Sequence, residues 1–447
     1  MKNQFNVCKY RLYNQILKSL SAFHSERSVD DKILELIRQM IILYDKALYA
    51  HASNVLEKAK SMACKYEKFT LLLEIVRWQK KIVFASSIYE NASDKDIIRL
   101  FEEENLTAKK INNINEYWKQ YGLLYLYYRI NGTARKQEDI DRYNGFIDTP
   151  VLKNQELALS YQAKLDFYKT HGNYSLAINN IEASCLYCKE MLSIMELHPH
   201  QIEDDPIKYV MPFYNLLSST KSLKKYKELF DMIPKLKSLL KRFQLPFSIH
   251  LFSYHLEFSA YLETGQFKKA TLLLPEIEAI LKAQKNTNEF LELIITTEIA
   301  LLHFGNRDYH KSLVHINAAL NNNKTSLSEE YYNFIKVFQL IVHFEKGNTE
   351  LLASLVTSVY RNLVQRKQLH KTESIFIRFI KTGFNNLGST KKRIEAFKAL
   401  REELLEIGDD LMEARFLELF DIISWLQNKI ENRSLEEVLR EKSGFVE

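Results

Sequence analysis

The sequence predicts an all-α protein assembled from repeated helical hairpins. Two segments carry the same spaced set of residues, and only 11 glycines and 7 prolines occur among 447 residues. Because glycine and proline interrupt helices, their scarcity favours long helices joined by short turns. A hairpin that is repeated along a chain buries its apolar face against the next copy. The two observations together therefore predict an extended helical array.

The repeated set consists of an aromatic residue, a second aromatic residue seven positions later, a glycine, a third aromatic residue and an alanine. The first copy is Tyr161, Tyr168, Gly172, Tyr174 and Ala177, and the second is Tyr254, Tyr261, Gly265, Phe267 and Ala270. We expect the glycine to provide the turn, the third aromatic residue to begin the second helix, and the alanine to let helices cross closely. Residues that match this third aromatic position follow at intervals of 52, 41 and 42: Tyr174, Tyr226, Phe267 and Tyr309.

This set resembles the tetratricopeptide repeat (TPR), and the resemblance implies a right-handed α-α superhelix, a TPR-like solenoid of antiparallel helical hairpins. The sequence departs from the family at Tyr161 and Tyr254, where tryptophan is usual. Its intervals also exceed the usual period of about 34 residues. The family binds peptides or protein segments in a concave groove lined by the first helix of each hairpin. Carried onto the two copies, this implies a ligand-binding groove at Gln162, Asp166, Lys169, His255 and Ser259.

The hairpin signals divide the chain into three expected regions. Residues 1–150 are predicted to form an irregular N-terminal helical region with one loose repeat, and residues 151–430 to form the TPR-like helical repeat array. Residues 431–447 are predicted to hold a C-terminal capping helix, since Ser434 and Glu437 have the spacing of a capping box.

Two prolines recur at one phase of the expected array. Pro234 and Pro275 each lie eight residues after the aromatic residue that begins a predicted second helix. An interior proline removes one helical hydrogen bond and bends the helix, so the pair predicts a shared kink. The alternative is that the second helix begins afresh at each proline.

The net charge of +6 is unevenly distributed. Between Lys221 and Arg242 there are eight basic and two acidic residues, and between Arg361 and Arg393 there are nine basic and one acidic. An acidic protein or a nucleic acid can bind such stripes, although lysines at helical spacing more often solvate an outward face. The candidate basic patch comprises Lys224, Lys225, Lys227, Lys237 and Lys241.

No catalytic or cofactor motif is visible: the sequence lacks HExxH, GxxxxGK[ST], GxGxxG and GxSxG. We therefore expect no enzyme, no cofactor and no metal site. Cys185 and Cys188 form a single CxxC pair, which is too few ligands for a structural zinc, so we expect small buried apolar residues. His198 and His200 lie near Asp204 in an expected loop, where solvation is favoured over a loose metal site.

These observations favour a non-enzymatic scaffold or adaptor that binds a peptide or protein segment in its groove. Four cysteines, no signal sequence and no long apolar run predict a cytoplasmic protein without a membrane span. One alternative is a peptide-sensing regulator of the bacterial repeat-regulator type, but the first 60 residues show no basic recognition helix. Another is nucleic-acid binding through the basic stripes, which the irregular intervals disfavour because RNA-reading repeats use one regular unit per base. The oligomeric state stays open.

Overall fold

The fold is all-α in the part of the chain that the computed structural model describes. That part comprises residues 2–24, 28–86, 93–134, 136–283, 289–322, 329–365, 369–386, 389–407 and 419–445. These residues form 22 α-helices and one short 3₁₀ helix, with no β-strand among them. The predicted fold class is confirmed at this level, whereas the hand of the superhelix stays a prediction. The chain divides into two compact units, residues 1–212 and 213–447.

The first unit contains ten helices in its described residues, and an eleventh continues across the boundary between the units. The helices are α1 (Lys2–His24), α2 (Val29–Asp45), α3 (Tyr49–Lys65), α4 (Phe69–Ser86), α5 (Asp94–Asn131), α6 (Gln137–Ile147), α7 (Pro150–Lys153), α8 (Tyr161–Ala177), α9 (Ile181–Glu196), α10 (Pro199–Asp204) and α11 (Pro206–Ser222), with the 3₁₀ turn Gln155–Leu157 before α8. Helices α2 to α5 pack in sequence, and α5 packs on α8, which in turn packs on α9. The core of α2 to α4 includes Ile33, Leu56 and Ile75, which are fully buried.

The second unit continues the same order of neighbouring helices. Its helices are α12 (Tyr226–Arg242), α13 (Phe247–Glu263), α14 (Phe267–Ala283), α15 (Glu289–Gly305), α16 (Tyr309–Asn322), α17 (Glu329–Lys346), α18 (Thr349–Gln365), α19 (Lys371–Asn386), α20 (Thr390–Glu406), α21 (Ile422–Glu431) and α22 (Leu435–Ser443). From α12 onward, each helix through α20 packs against the next one along the chain. The largest core cluster includes the buried rings of Phe334, Phe338, Phe376 and Trp425. These successive hairpins form a helical repeat array.

The turns between paired helices share one backbone conformation. A residue with positive φ follows the end of the helix at Ala47, Glu67, Asn179, Lys224, Gln244, Gly265, Arg307 and Gly347. The next N–H then bonds back to a carbonyl five residues earlier, as from Gln266 to Tyr261 at 2.7 Å and from Asp308 to His303 at 2.8 Å. This bond closes the Schellman turn that ends many helices. The feature that these turns share is thus a left-handed backbone, and most of these positions are not glycine.

The second copy of the repeated set has the expected structure. Gly265 has φ +67° and forms the turn, and Phe267 is the first residue of α14. Tyr226 and Tyr309 likewise are the first residues of α12 and α16. The prediction that these aromatic residues begin second helices is confirmed at all three positions.

The first copy does not have the expected structure. Gly172 and Tyr174 lie inside α8, which runs from Tyr161 to Ala177, and the turn occurs at Asn179. Ser160 caps α8 by accepting a hydrogen bond from the Ala163 N–H at 3.1 Å, so α8 begins at Tyr161, the first residue of the motif. In the second copy, by contrast, α13 begins at Phe247, before the matching Tyr254. The predicted register was wrong here because helix length and cap position decide where the chain turns.

With this correction the second helices are evenly spaced. Their first residues are Ile181, Tyr226, Phe267, Tyr309 and Thr349. The intervals become 45, 41, 42 and 40 residues, in place of a first interval of 52. A period of about 40 accommodates two helices of about 17 residues and two short connections. The array is therefore more regular than its sequence motif indicates.

The prolines lie within continuous helices. Pro234 is inside α12 and Pro275 is inside α14, so the alternative that each helix begins afresh at its proline is wrong. Pro212 occupies a similar interior position in α11. Each removes one backbone donor from its helix.

The last described segment, residues 419–445, packs back along the second unit. The Trp425 indole N–H in α21 donates to Glu345 Oε1 at 2.6 Å, and its ring contacts Phe376 and Phe397. Helix α22 begins with the predicted capping box and lies against the turn between α13 and α14, where Arg440 Nε donates to the Gly265 carbonyl at 3.2 Å. The C-terminal helix thus contacts a turn that lies 175 residues earlier in the chain.

None of the helices in the described ranges is long and apolar enough to cross a membrane.

Candidate functional site

The five residues predicted to line a groove lie on two helices in different units. Gln162, Asp166 and Lys169 share one face of α8, because positions i, i+4 and i+7 align along a helix. His255 and Ser259 share one face of α13 for the same reason. The structure therefore brings the first three together and the last two together, and the surroundings of the two sets differ.

The α13 pair is engaged by neighbouring helices. His255 Nδ1 lies 3.0 Å from Glu298 Oε2 of α15. Ser259 Oγ accepts a hydrogen bond from Lys221 Nζ of α11 at 3.0 Å, and the same ammonium lies 2.7 Å from Glu263 Oε1. We call these five residues the closed face. Their polar groups are used to join α11, α13 and α15.

The charge of Lys221 fits this structural role. Burial disfavours its charged form, but the adjacent Glu263 carboxylate outweighs burial, so the pKa of Lys221 is raised. The Tyr226 hydroxyl donates to the other Glu263 oxygen at 3.1 Å. Both oxygens of this carboxylate are thus bonded within the second unit.

The α8 set is arranged differently. Asp166 is only 4% exposed and accepts a hydrogen bond from Gln162. Burial raises the pKa of Asp166, although the positive charges of Lys169 and Lys208 act in the opposite direction. A buried carboxylate at the base of an otherwise accessible face is held there by the amide of Gln162 and by the field of two lysines.

Lys169 has its head group over an aromatic ring. Its Nζ lies 3.8 Å from the ring centroid of Tyr121 on α5, a cation–π contact. Burial lowers the pKa of Lys169, and Asp166 only partly offsets this. Among the residues that the structure describes, no carboxylate oxygen lies within 4.0 Å of the Lys169 ammonium. Within the described ranges its charge is therefore not matched by an ion pair.

Tyr121 belongs to a row of three aromatic residues on α5. Trp118, Tyr121 and Tyr125 occur at i, i+3 and i+7 and share one face of the helix that packs on α8. The rings of Tyr121 and Tyr125 are stacked with centroids 5.6 Å apart, while Trp118 is 65% exposed. Burial raises the pKa of Tyr121 to about 12, so its hydroxyl stays protonated at neutral pH. We call this row the aromatic ridge.

The aromatic ridge and the α8 set together form the open face: Trp118, Tyr121, Tyr125, Gln162, Asp166 and Lys169. It offers apolar ring surface, an amide and an ammonium within the first unit, with the buried carboxylate of Asp166 at its base. The sequence pointed to the three α8 residues but missed the ridge, because α5 falls in the region expected to be irregular. The i, i+3, i+7 spacing of its aromatic residues was the signal that marks this face.

The candidate basic patch contains four exposed lysines and one, Lys237, that forms an ion pair within the protein. Lys237 pairs with Glu257 and lies 5.1 Å from the ring of Tyr254. Lys224 has φ +55° and forms the turn before α12. Lys225, Lys227 and Lys241 are exposed, because α12 buries its opposite side: Tyr226, Leu229, Ile233, Leu236 and Leu240. Four of the five predicted lysines thus lie at the surface.

The cysteine prediction is confirmed. Cys185 and Cys188 are free, buried and part of α9. Burial raises the pKa of Cys188 to about 12, so its thiol stays protonated and unreactive at neutral pH.

The interpretation of residues 198–205 as a solvated loop was wrong. The ring centroids of His198 and Tyr161 lie 5.0 Å apart, and a ring nitrogen of His200 forms a hydrogen bond with the Lys65 carbonyl at 3.0 Å. Asp204 lies 2.8 Å from Lys68 Nζ and accepts from the Val29 N–H at 3.2 Å. This segment, which contains α10, ties the end of α9 to the hairpins of α2 to α4. No cluster of His, Cys, Asp and Glu fit to hold a metal occurs in the described ranges.

The fold and its two faces define an all-α protein of stacked helical hairpins. No family model matches the sequence, and no curated protein matches it either.

Proposed function

We propose that the protein is a non-enzymatic interaction scaffold that binds a peptide or protein segment along the open face. The observation that supports this most directly is the contrast between the two faces. The polar groups of the closed face are paired within the protein, whereas the open face presents Lys169 without a described ion-pair partner and Trp118 largely exposed. Side chains that are held in place but not used internally are suited to a partner.

The repeat architecture supports the same proposal. Stacked hairpins place neighbouring helices side by side, as α5 and α8 are, and so create an extended surface for many weak contacts. The even spacing of the second helices from Ile181 to Thr349 supports a divergent, long-period TPR-like array. The cytoplasm is the location we propose for this adaptor, because the sequence has four cysteines and no long apolar run.

The experiment is affinity capture with chemical crosslinking, using the full chain as bait. We expect a stoichiometric protein partner whose crosslinks fall on α5 and α8, and we expect Trp118→Ala to reduce its recovery at least about fivefold. The matched control is Leu272→Ala on α14, which removes a similarly exposed apolar side chain, 77% exposed, from the other unit. Equal recovery with wild type and Trp118→Ala, or no stoichiometric partner, contradicts the proposal.

A second candidate is nucleic-acid binding by the exposed lysines around α12. A salt-dependent gel shift tests it, and each lysine that contacts a phosphate contributes about one unit to the slope of log K against log salt. We expect the quadruple change Lys224, Lys225, Lys227 and Lys241→Gln to leave protein capture intact. Absence of a shift at low salt removes this candidate.

A further inference from the structure

We propose that the open face recognises a protein segment in which a single carboxylate side chain lies close to an aromatic or large aliphatic side chain. This inference rests on the proposed function and specifies the chemistry of the partner. Three features of the face carry it: the charge of Lys169, the length of the aromatic ridge, and the position of Asp166.

The ammonium of Lys169 selects a carboxylate. It lies 3.8 Å from the ring centroid of Tyr121, with no carboxylate oxygen of the described residues within 4.0 Å, and burial lowers its pKa. An ammonium that has lost part of its hydration without gaining an ion pair is stabilised when an anion arrives. The cation–π contact holds the group in one place, so less side-chain freedom is lost on binding.

The aromatic ridge selects an apolar side chain of the partner and sets how far that side chain lies from the partner's carboxylate. Tyr125 lies seven positions after Trp118, and at a rise of 1.5 Å per residue the two are about 10 Å apart along the helix axis. An extended peptide covers that length with about three residues. A partner whose carboxylate reaches Lys169 therefore places side chains within about three positions on the ridge. The exposed ring of Trp118 provides the largest contact area there.

Asp166 restricts the partner to one carboxylate. Its charge lies on the same face, one helical turn from Lys169, and repels a second acidic group. A cationic partner is disfavoured because the positive charges of Lys169 and Lys208 repel it. A mixed acidic and apolar segment fits the face better than a polyacidic run or a basic one.

The test is selection of a random peptide library displayed at the N-terminus of a phage coat protein, which presents no free carboxyl terminus. The baits are wild type, Lys169→Met, Trp118→Ala and the matched control Lys164→Met. Lys164 is an exposed lysine on the same helix, about 140° around it from Lys169 at 100° per residue. Circular dichroism confirms that each variant is folded.

We expect enriched sequences to carry one Asp or Glu within three residues of Phe, Tyr, Trp or Leu. Replacing that acid by its amide in a synthetic peptide with blocked termini should weaken binding about tenfold to wild type and to Lys164→Met. The same replacement should change binding less than about twofold in Lys169→Met.

The outcomes separate this inference from the proposed function. Peptides that depend on Trp118 but carry no acid, several acids or a basic residue overturn the inference and leave the proposed function standing. Equal loss in Lys164→Met and Lys169→Met also overturns the inference. If no peptide is enriched on wild type relative to Trp118→Ala, both fall.

Discussion

Gly172 and Gly265 occupy corresponding positions in the two copies of the repeated set, yet their structures differ. Gly172 lies inside α8 with helical neighbours on both sides, while Gly265 has φ +67° and forms the turn between α13 and α14. A Cβ at Gly172 would lie 3.6 Å from the Tyr187 Cβ, an ordinary contact. A Cβ at Gly265 would lie 2.5 Å from the Glu436 carbonyl oxygen of α22.

The difference shows that the same residue types at the same spacing perform different tasks according to where the helix begins. Ser160 caps α8 directly before the first aromatic residue of its copy, whereas the matching Tyr254 lies in the middle of α13. Both helices have 17 residues, so the glycine falls inside the helix in one copy and beyond its end in the other. The cap, rather than the glycine, determines where the chain turns.

The largest effect is expected for Gly265→Ala. A left-handed backbone with a Cβ costs about 1–3 kcal/mol, and the forced contact with α22 costs a further amount of about 1–3 kcal/mol. We expect the free energy of unfolding to fall by roughly 2–6 kcal/mol, measured by urea denaturation, with faster hydrogen exchange in α22.

Gly347→Ala is the control for this variant. Gly347 has φ +75° but nothing lies within 4 Å of its would-be Cβ, so it reports the backbone contribution alone. Equal destabilisation by the two substitutions contradicts a tight contact between the α13–α14 turn and α22.

The sequence predicted the fold class and three of the four helix starts, because those depend on local composition and on aromatic residues at helix ends. It failed at Tyr174, because the motif does not show where the helix that contains it begins, and Ser160 caps α8 directly before Tyr161. Its prediction of a groove at Gln162, Asp166 and Lys169 rests on a family resemblance and stays a prediction. It could not show that Ser259 is bonded to Lys221, because a contact between helices depends on packing that no local pattern encodes.

The two faces provide the next comparison, Lys221→Met against Lys169→Met. The first substitution leaves Ser259, which is 4% exposed, and Glu263 without their shared donor. An unsatisfied buried acceptor costs about 1–3 kcal/mol, and we expect a loss of that size in the free energy of unfolding.

Lys169→Met should change the free energy of unfolding by less than about 1 kcal/mol. The cation–π contact and the attraction of Lys169 for Asp166 are lost, but the burial that disfavours the Lys169 charge is relieved and methionine also packs on aromatic rings. Thermal and urea denaturation of both variants measure the difference. Similar losses in the two variants contradict the distinction between the open and closed faces.

A smaller effect of opposite sign is expected for Gly172→Ala. Glycine inside a helix is less favourable than alanine by about 0.5–1 kcal/mol, and the new methyl group meets only the Tyr187 Cβ at contact distance. We expect the free energy of unfolding to rise by about that amount. A loss of stability would contradict this expectation, because it would mean that α9 lies too close to α8 to accommodate the methyl group of alanine.

The smallest effect is the pH dependence associated with Asp166. Burial raises its pKa in the folded state, so the folded protein binds a proton more readily than the unfolded chain does. The carboxylate therefore disfavours folding above its folded-state pKa. This penalty is relieved as the pH falls through that value, and it is absent below the usual value near 3.9.

Asp166→Asn removes the penalty at neutral pH and removes its pH dependence. We expect the variant to be at least as stable as wild type at pH 7, and its advantage to shrink as the pH is lowered toward 4, as measured by urea denaturation at several pH values. An advantage that grows on acidification contradicts a buried, weakly compensated carboxylate at the base of the open face.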